Sequence, residues 1–239
     1  GLCLKFRSSV TDWNAFITQW MKTRSPDSFT RDVCLSDPIW RAQARAGMRR
    51  TAARHAPWNP LLYDIRDELS VTVSANPFDY DFAPASLAAL RLRLRQHYPS
   101  LDALNAAWLT RFNAWEAVRP FSTDEIKARL AGRGEALNQQ PDWAALRAMR
   151  YTPQRVRAEP ERWHLAPWCD FRTFMDDTLA ETLADLRDGA READPATPAG
   201  IEGTQMPSAW GGYDLWKLSR VLDWVEPYDI TAARAIFGS

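Results

Sequence analysis

The chain has 239 residues, of which 46% are apolar and 25% charged, and its formal net charge is zero. That is an ordinary globular mixture, long enough for one large domain or two small ones around a sizeable core. It excludes a disordered chain, and it excludes a long-range field that would gather DNA or anionic lipid, so neither nucleic acid nor a membrane is an expected partner.

Trp13, Phe16, Ile17, Trp20 and Met21 fall at i, i+3, i+4, i+7 and i+8, one apolar stripe of a helix. Ser36-Asp37-Pro38 then reads as a helix start, with a capping side chain followed by Pro in the first turn. That helix is expected to run to about His55, where Pro57 and Pro60 break it. Its Arg45, Arg49 and Arg50 are the densest basic cluster, read as a solvated helix face rather than a phosphate groove.

Leu61-Leu62-Tyr63-Asp64-Ile65 is short, apolar and bounded by prolines and charges, the pattern of a buried parallel strand. It runs into Arg66-Asp67-Glu68, a cluster of charge at the strand's C-terminal end. Residues 70–83 read as a loop rich in Asn, Asp, Phe and Tyr. A helix is expected from about Pro84, with Leu87, Leu90, Leu94 and Tyr98 in period. Pro99-Ser100 stops it and starts another, which carries Leu101, Leu104 and Trp108 on one face.

Ser122-Thr123-Asp124-Glu125 is a capping box. The stretch 131–168 is irregular. Phe171, Phe174, Met175, Leu179, Leu183 and Leu186 mark a long amphipathic helix, ended by Asp194-Pro195 and Pro198. A second strand is expected at Ala199–Gly203, then a short helix over Leu215–Leu222, then a third strand at Trp224–Asp229. The order is α/β, with helices covering a parallel sheet. A whole barrel needs eight such units. The units visible here fit an incomplete (β/α)8 barrel of TIM type, a single partial domain over 1–239 with a helical insertion at about 84–190.

Three strand candidates each deliver carboxylates at the C-terminal end, where a βα barrel carries its chemistry. Glycosidic cleavage needs two carboxyl groups across the scissile bond, one giving a proton and the other attacking or activating water. Glu68 has the longer reach of the Asp67-Glu68 pair, and a neighbouring negative charge would raise a proton donor's pKa. The bland reading of Glu68 is a surface or helix-capping acid. Glu202, Glu226 and Asp229 each carry three readings: second carboxylate, ligand of a sugar hydroxyl, or partner of an arginine. The twelve tryptophans divide between core filling and a cleft where sugar rings stack, with Trp210 a candidate for the second role.

Other chemistries find less support. Cys3, Cys34 and Cys169 lie far apart with no C-x-x-C pair, and His55, His97 and His164 lack metal-ligand spacing. No metal and no cofactor are expected. No G-x-S-x-G elbow is present, and Gly211-Gly212 is no phosphate loop. No signal-peptide pattern and no apolar run of about 18 residues is read in the chain. The compartment stays unassigned.

The run Tyr63-Asp64-Ile65-Arg66-Asp67-Glu68 resembles the acid/base strand of family 42 glycoside hydrolases and their relatives, many of which carry Asp-Glu or Asn-Glu there. His97-Tyr98-Pro99-Ser100-Leu101-Asp102-Ala103-Leu104-Asn105-Ala106-Ala107-Trp108 resembles the family's following helix pair, with its Leu–x–x–Leu–Asn–x–x–Trp pattern, and Phe112 and Trp115 continue it. Asp170-Phe171-Arg172 and the segment Gly200–Asp229 resemble later elements less specifically. The resemblance covers about residues 31–230 and implies a (β/α)8 barrel that cleaves β-linked sugars with retention, in the manner of a β-galactosidase. It implies that Glu68 is the general acid/base. The family's nucleophilic glutamate lies on a later strand that no residue here matches, so the nucleophile is expected outside this chain. Glu202 is a substrate-site candidate and second choice as nucleophile, with Asp67, Trp210, Glu226 and Asp229 as further substrate-site candidates. The alternatives are a non-catalytic carbohydrate-binding protein on a degenerate barrel and a helical interaction protein. An incomplete barrel would expose sheet edges, to be covered by a missing barrel segment or by self-association.

Overall fold

The structure of the protein is a computed structural model that describes residues 2–3, 34–67, 81–122, 125–126, 153–159, 164–204 and 214–227. The helix expected around Trp13–Met21 lies outside these residues, as do most of the loop at 70–83 and most of the irregular stretch. The chain divides into two compact units, one formed by 1–15, 32–74 and 175–239, the other by 16–31 and 75–174.

The first unit holds a parallel sheet. Its strands are β1 (Leu2–Cys3), β2 (Tyr63–Asp67), β3 (Ala199–Thr204) and β4 (Trp224–Pro227), hydrogen-bonded in that order. Among the described residues the sheet has four strands, against the eight of a closed barrel. β2 begins two residues later than the apolar run predicts, and Leu61 is left 81% exposed. The reason is the partner strand: pairing starts with Tyr63 opposite Ala199, and the Tyr63 N–H donates to the carbonyl of Pro198 at 2.8 Å. Tyr63, Asp64 and Ile65 are all buried, as a strand covered on both faces requires.

Helix α1 (Pro38–His55) begins where Ser36-Asp37-Pro38 predicts, with the Asp37 carboxylate accepting the Ile39 N–H at 2.9 Å. Its arginine face is solvated, with Arg49 and Arg50 exposed, and also carries ion pairs. Arg41 meets Asp185 at 2.6 Å, Arg45 meets Glu192 at 2.5 Å, and Arg49 reaches Glu192 at 3.8 Å. The α1 helix crosses closest at Gly189, where an added Cβ would stand 2.6 Å from the carbonyl oxygen of Arg45. That close approach accounts for a glycine inside a helix, a position that otherwise costs about 1 kcal/mol relative to Ala.

The loop after the long helix locks the N-terminal ends of β2 and β3. Tyr63 donates its hydroxyl to Asp194 at 2.8 Å, with the carbonyl oxygen of Ala52 at 3.2 Å. Asp223, just ahead of β4, pairs with Arg191 and accepts the Ala199 N–H at 3.0 Å. Arg187 donates to the carbonyl of Val221 at 2.6 Å, near the end of a short helix over Leu215–Val221.

In the second unit, α2 (Pro84–His97) and α3 (Leu101–Trp108) form as predicted, with Ser100 capping α3 through a 3.1 Å bond from the Ala103 N–H. The capping box is reciprocal: Glu125 N–H donates to Ser122 Oγ at 3.2 Å, and Ser122 N–H donates to Glu125 Oε2 at 2.7 Å. Further along are α4 (Pro153–Ala158) and α5 (Ala166–Arg191), whose later turns belong to the first unit. The short helix over Leu215–Val221 is α6, tied to α5 by Lys217 and Asp177 at 2.6 Å.

Two residues of the helix pair that resembles the family, Tyr98 and Trp108, meet on one carboxylate. Tyr98 Oη and Trp108 Nε1 both donate to Asp170 Oδ2 at 2.7 Å. Burial, the bond to Asp170 and its charge push the Tyr98 hydroxyl up to about 12. Asn105 closes the turn after α3, accepting from the Phe112 N–H at 2.8 Å and donating to the Phe112 carbonyl at 2.8 Å, beside Leu109 in the left-handed region at φ 54°. Leu104 and Trp108 are fully buried. Among the described tryptophans, Trp108 and Trp168 fill the core, whereas Trp58 and Trp216 stand 81% and 55% exposed.

Candidate functional site

The chemistry-bearing residues fall at the C-terminal ends of β2, β3 and β4. A strand pair in regular parallel register would place every residue against one partner. Here β2 advances three residues, from Asp64 to Asp67, while β3 advances two, from Gly200 to Glu202. β3 does the same against β4, with Ile201 to Thr204 opposite Val225 to Pro227. β2 and β3 therefore each carry an extra residue relative to the next strand as they near the end of the sheet. Such bulges re-aim side chains and end pairing, and they recur next to active sites.

Asp67 and Glu202 are register partners. Glu202 is partly exposed. The residue after it, Gly203, sits in the left-handed region at φ 65°, which favours glycine. Its N–H donates to Glu226 Oε2 at 2.8 Å, from the next strand. Glu226 is otherwise exposed. Asp67, Glu202 and Glu226 thus lie toward the same end of three adjacent strands. Glu68, Trp210 and Asp229 lie outside the described residues.

Behind the acids, Gly200 lets β3 and β4 approach. A Cβ there would stand within 2 Å of the Trp224 carbonyl oxygen, at 1.9 Å. Asp214 starts α6 by accepting the Lys217 N–H at 3.1 Å. Gly200, Gly203 and Asp223 are scaffold residues that the sequence alone does not single out. The signal for the two glycines was their spacing inside a strand, which marks a bulge or a close backbone approach.

Among the described residues, no group of three or more His, Cys, Asp and Glu side chains is placed to hold a metal ion. Among the same residues, no helix is long and apolar enough to cross a membrane.

No protein-family model matches the chain, and no curated protein matches it. Solved structures do. An exo-carrageenase of glycoside hydrolase family 42 from Bacteroides ovatus aligns at a TM-score of 0.55 and 16% identity, over 87% of this chain and 26% of that one. The β-galactosidase of Bacillus circulans sp. alkalophilus aligns at 0.52 and 17%, over 83% and 24%. The β-galactosidase of Rahnella sp. R3 aligns at 0.50 and 20%, over 81% and 23%. The likeness is one of fold, with enzymes that are glycoside hydrolases, and the chain spans about a quarter of the length of each, between 23% and 26%.

Proposed function

We propose that this chain carries the proton-donor half of a glycoside hydrolase active site of β-galactosidase type, on part of a (β/α)8 barrel. The observation that carries the reading is the register pairing of Asp67 with Glu202 at the C-terminal ends of parallel strands, with Glu226 beside them. Acids gathered at that end of a parallel sheet are what cleavage of a glycosidic bond requires. The fold likeness to family 42 enzymes supports the same reading.

Glu68, the next residue after β2, is the proposed general acid/base. It would protonate the leaving oxygen and then, in the second step of a retaining mechanism, deprotonate water. Asp67, Glu202, Trp210 and Asp229 are the proposed sugar ligands, with Glu226 at the same strand ends bonded to the Gly203 N–H. The nucleophilic carboxylate is proposed to come from chain outside these 239 residues, with Glu202 as second choice.

The test is hydrolysis of aryl β-galactosides and related aryl glycosides by this chain, by a form extended at both ends, and by the extended Glu68→Gln variant. Turnover by the extended form that falls roughly 10²–10⁴-fold in the variant is expected of a lost general acid/base. An extended form that binds sugars and turns over none of them would instead identify a carbohydrate-binding protein on a degenerate barrel.

A further inference from the structure

We propose that Glu226 is a positioning residue: its carboxylate clasps the bulged end of β3 and thereby sets the direction of Glu202. The inference rests on the reading of the strand ends as a sugar site, and it gives Glu226 a role different from sugar contact.

The argument begins with the backbone. β3 departs from regular register between Ile201 and Thr204, so a backbone N–H in that interval loses its place in the ladder. On the β4 side, Thr204 is opposite Pro227, which has no N–H to donate. Ladder bonding between the two strands is therefore interrupted beside Glu202, between the pairs Ile201–Val225 and Thr204–Pro227. Gly203 adds freedom of its own, since glycine at φ 65° has access to many other conformations.

One side chain supplies what the ladder lacks. Glu226 Oε2 accepts the Gly203 N–H at 2.8 Å. A carboxylate acceptor makes this a charge-assisted bond, about twice as strong as a neutral one. It fixes the peptide that joins Glu202 to Gly203, and so the backbone from which the Glu202 side chain projects. A displacement of about 1 Å in such a group is enough to cost a hundredfold in a well-aligned site.

The experiment uses the whole chain with Glu226→Ala, which removes the acceptor, and Glu226→Gln, which keeps a neutral acceptor oxygen. Two readouts are taken: amide hydrogen exchange of Gly203 by NMR, and binding of a non-hydrolysable thio-β-galactoside. Glu226→Ala is expected to speed Gly203 exchange about tenfold and to weaken thiogalactoside binding about tenfold, the loss of one hydrogen bond to a charged group. Glu226→Gln is expected to restore both to within a few-fold of wild type, as an acceptor role allows. Unchanged Gly203 exchange in Glu226→Ala overturns the clasp. Faster exchange with unchanged sugar binding overturns its link to Glu202. Loss of sugar binding in Glu226→Gln, with the Gly203 amide still protected, makes Glu226 a direct sugar ligand and overturns the positioning role. The exchange measurement needs no sugar, so it decides the clasp even if the wild-type chain binds no thiogalactoside, an outcome that overturns the sugar-site reading.

Discussion

Asp67 and Glu202 stand opposite each other in the register of β2 and β3, on strands about 4.8 Å apart. The pairing comes after a bulge in β2, so it is the extra residue between Asp64 and Asp67 that brings the two acids level. If Glu202 binds a sugar hydroxyl, Glu202→Gln should lower kcat/KM for aryl β-galactosides about 10- to 100-fold in an active, extended form of the protein, the range for a hydrogen bond to a charged group. Steady-state kinetics measure this. A complete loss of the glycosyl-enzyme step would identify Glu202 as the nucleophile.

Gly200→Ala tests the close approach of β3 to β4. The new Cβ would meet the Trp224 backbone oxygen at 1.9 Å, and a backbone atom has no rotamer by which to withdraw. A loss of about 1–3 kcal/mol or more is expected, as for overpacked interiors. Urea unfolding of the variant reads it, and a variant as stable as wild type would show that the strands separate freely.

Asp170→Ala should be among the most destabilising single changes in the second unit. It leaves the Tyr98 hydroxyl and the indole N–H of Trp108 without their acceptor. Each orphaned group costs about 1–3 kcal/mol. The same cluster sets an alkaline limit. Tyr98 rises from 10.0 to about 12 on folding, so its contribution is whole below pH 10.0 and is lost as pH climbs through about 12. Tyr98→Phe should flatten that part of the stability profile, as followed by unfolding at fixed pH values.

Asp194 sets an acid limit in the first unit. Burial works to raise its pKa, but bonds from Thr197 and Tyr63 and from the backbone outweigh burial and hold it below the usual 3.8. Its contribution is therefore whole above pH 3.8 and is lost as pH falls through the lower folded value. Asp194→Asn should weaken the fall in stability as pH drops below 3.8. Urea midpoints across that range check it, and an unaltered pH slope would remove Asp194 from the account.

Much of this was legible in the sequence because it is local. Asp37-Pro38, Ser100 and the Ser122/Glu125 pair start helices through bonds that span two or three residues, so the pattern names the partners. The resemblance to family 42 glycosidases agrees with a likeness of fold to solved structures that include a family 42 exo-carrageenase. The helix-pair part of that resemblance is scaffold: Tyr98 and Trp108 converge on Asp170, and Asn105 closes a turn.

The rest was decided by tertiary structure. Composition, periodicity and capping residues determined the helices α1, α2, α3 and α5 and the presence of acid-tipped strands, because each depends on neighbours along the chain. Where β2 starts, which acids stand level, and why Gly200, Gly203 and Gly189 are glycines depended on partners far away in sequence. The ion pairs of α1 were not legible for the same reason, since Asp185 and Glu192 lie over 140 positions on from Arg41 and Arg45. Register, close approach and ion pairing are relations between segments, and a single segment carries no record of the neighbour it will meet.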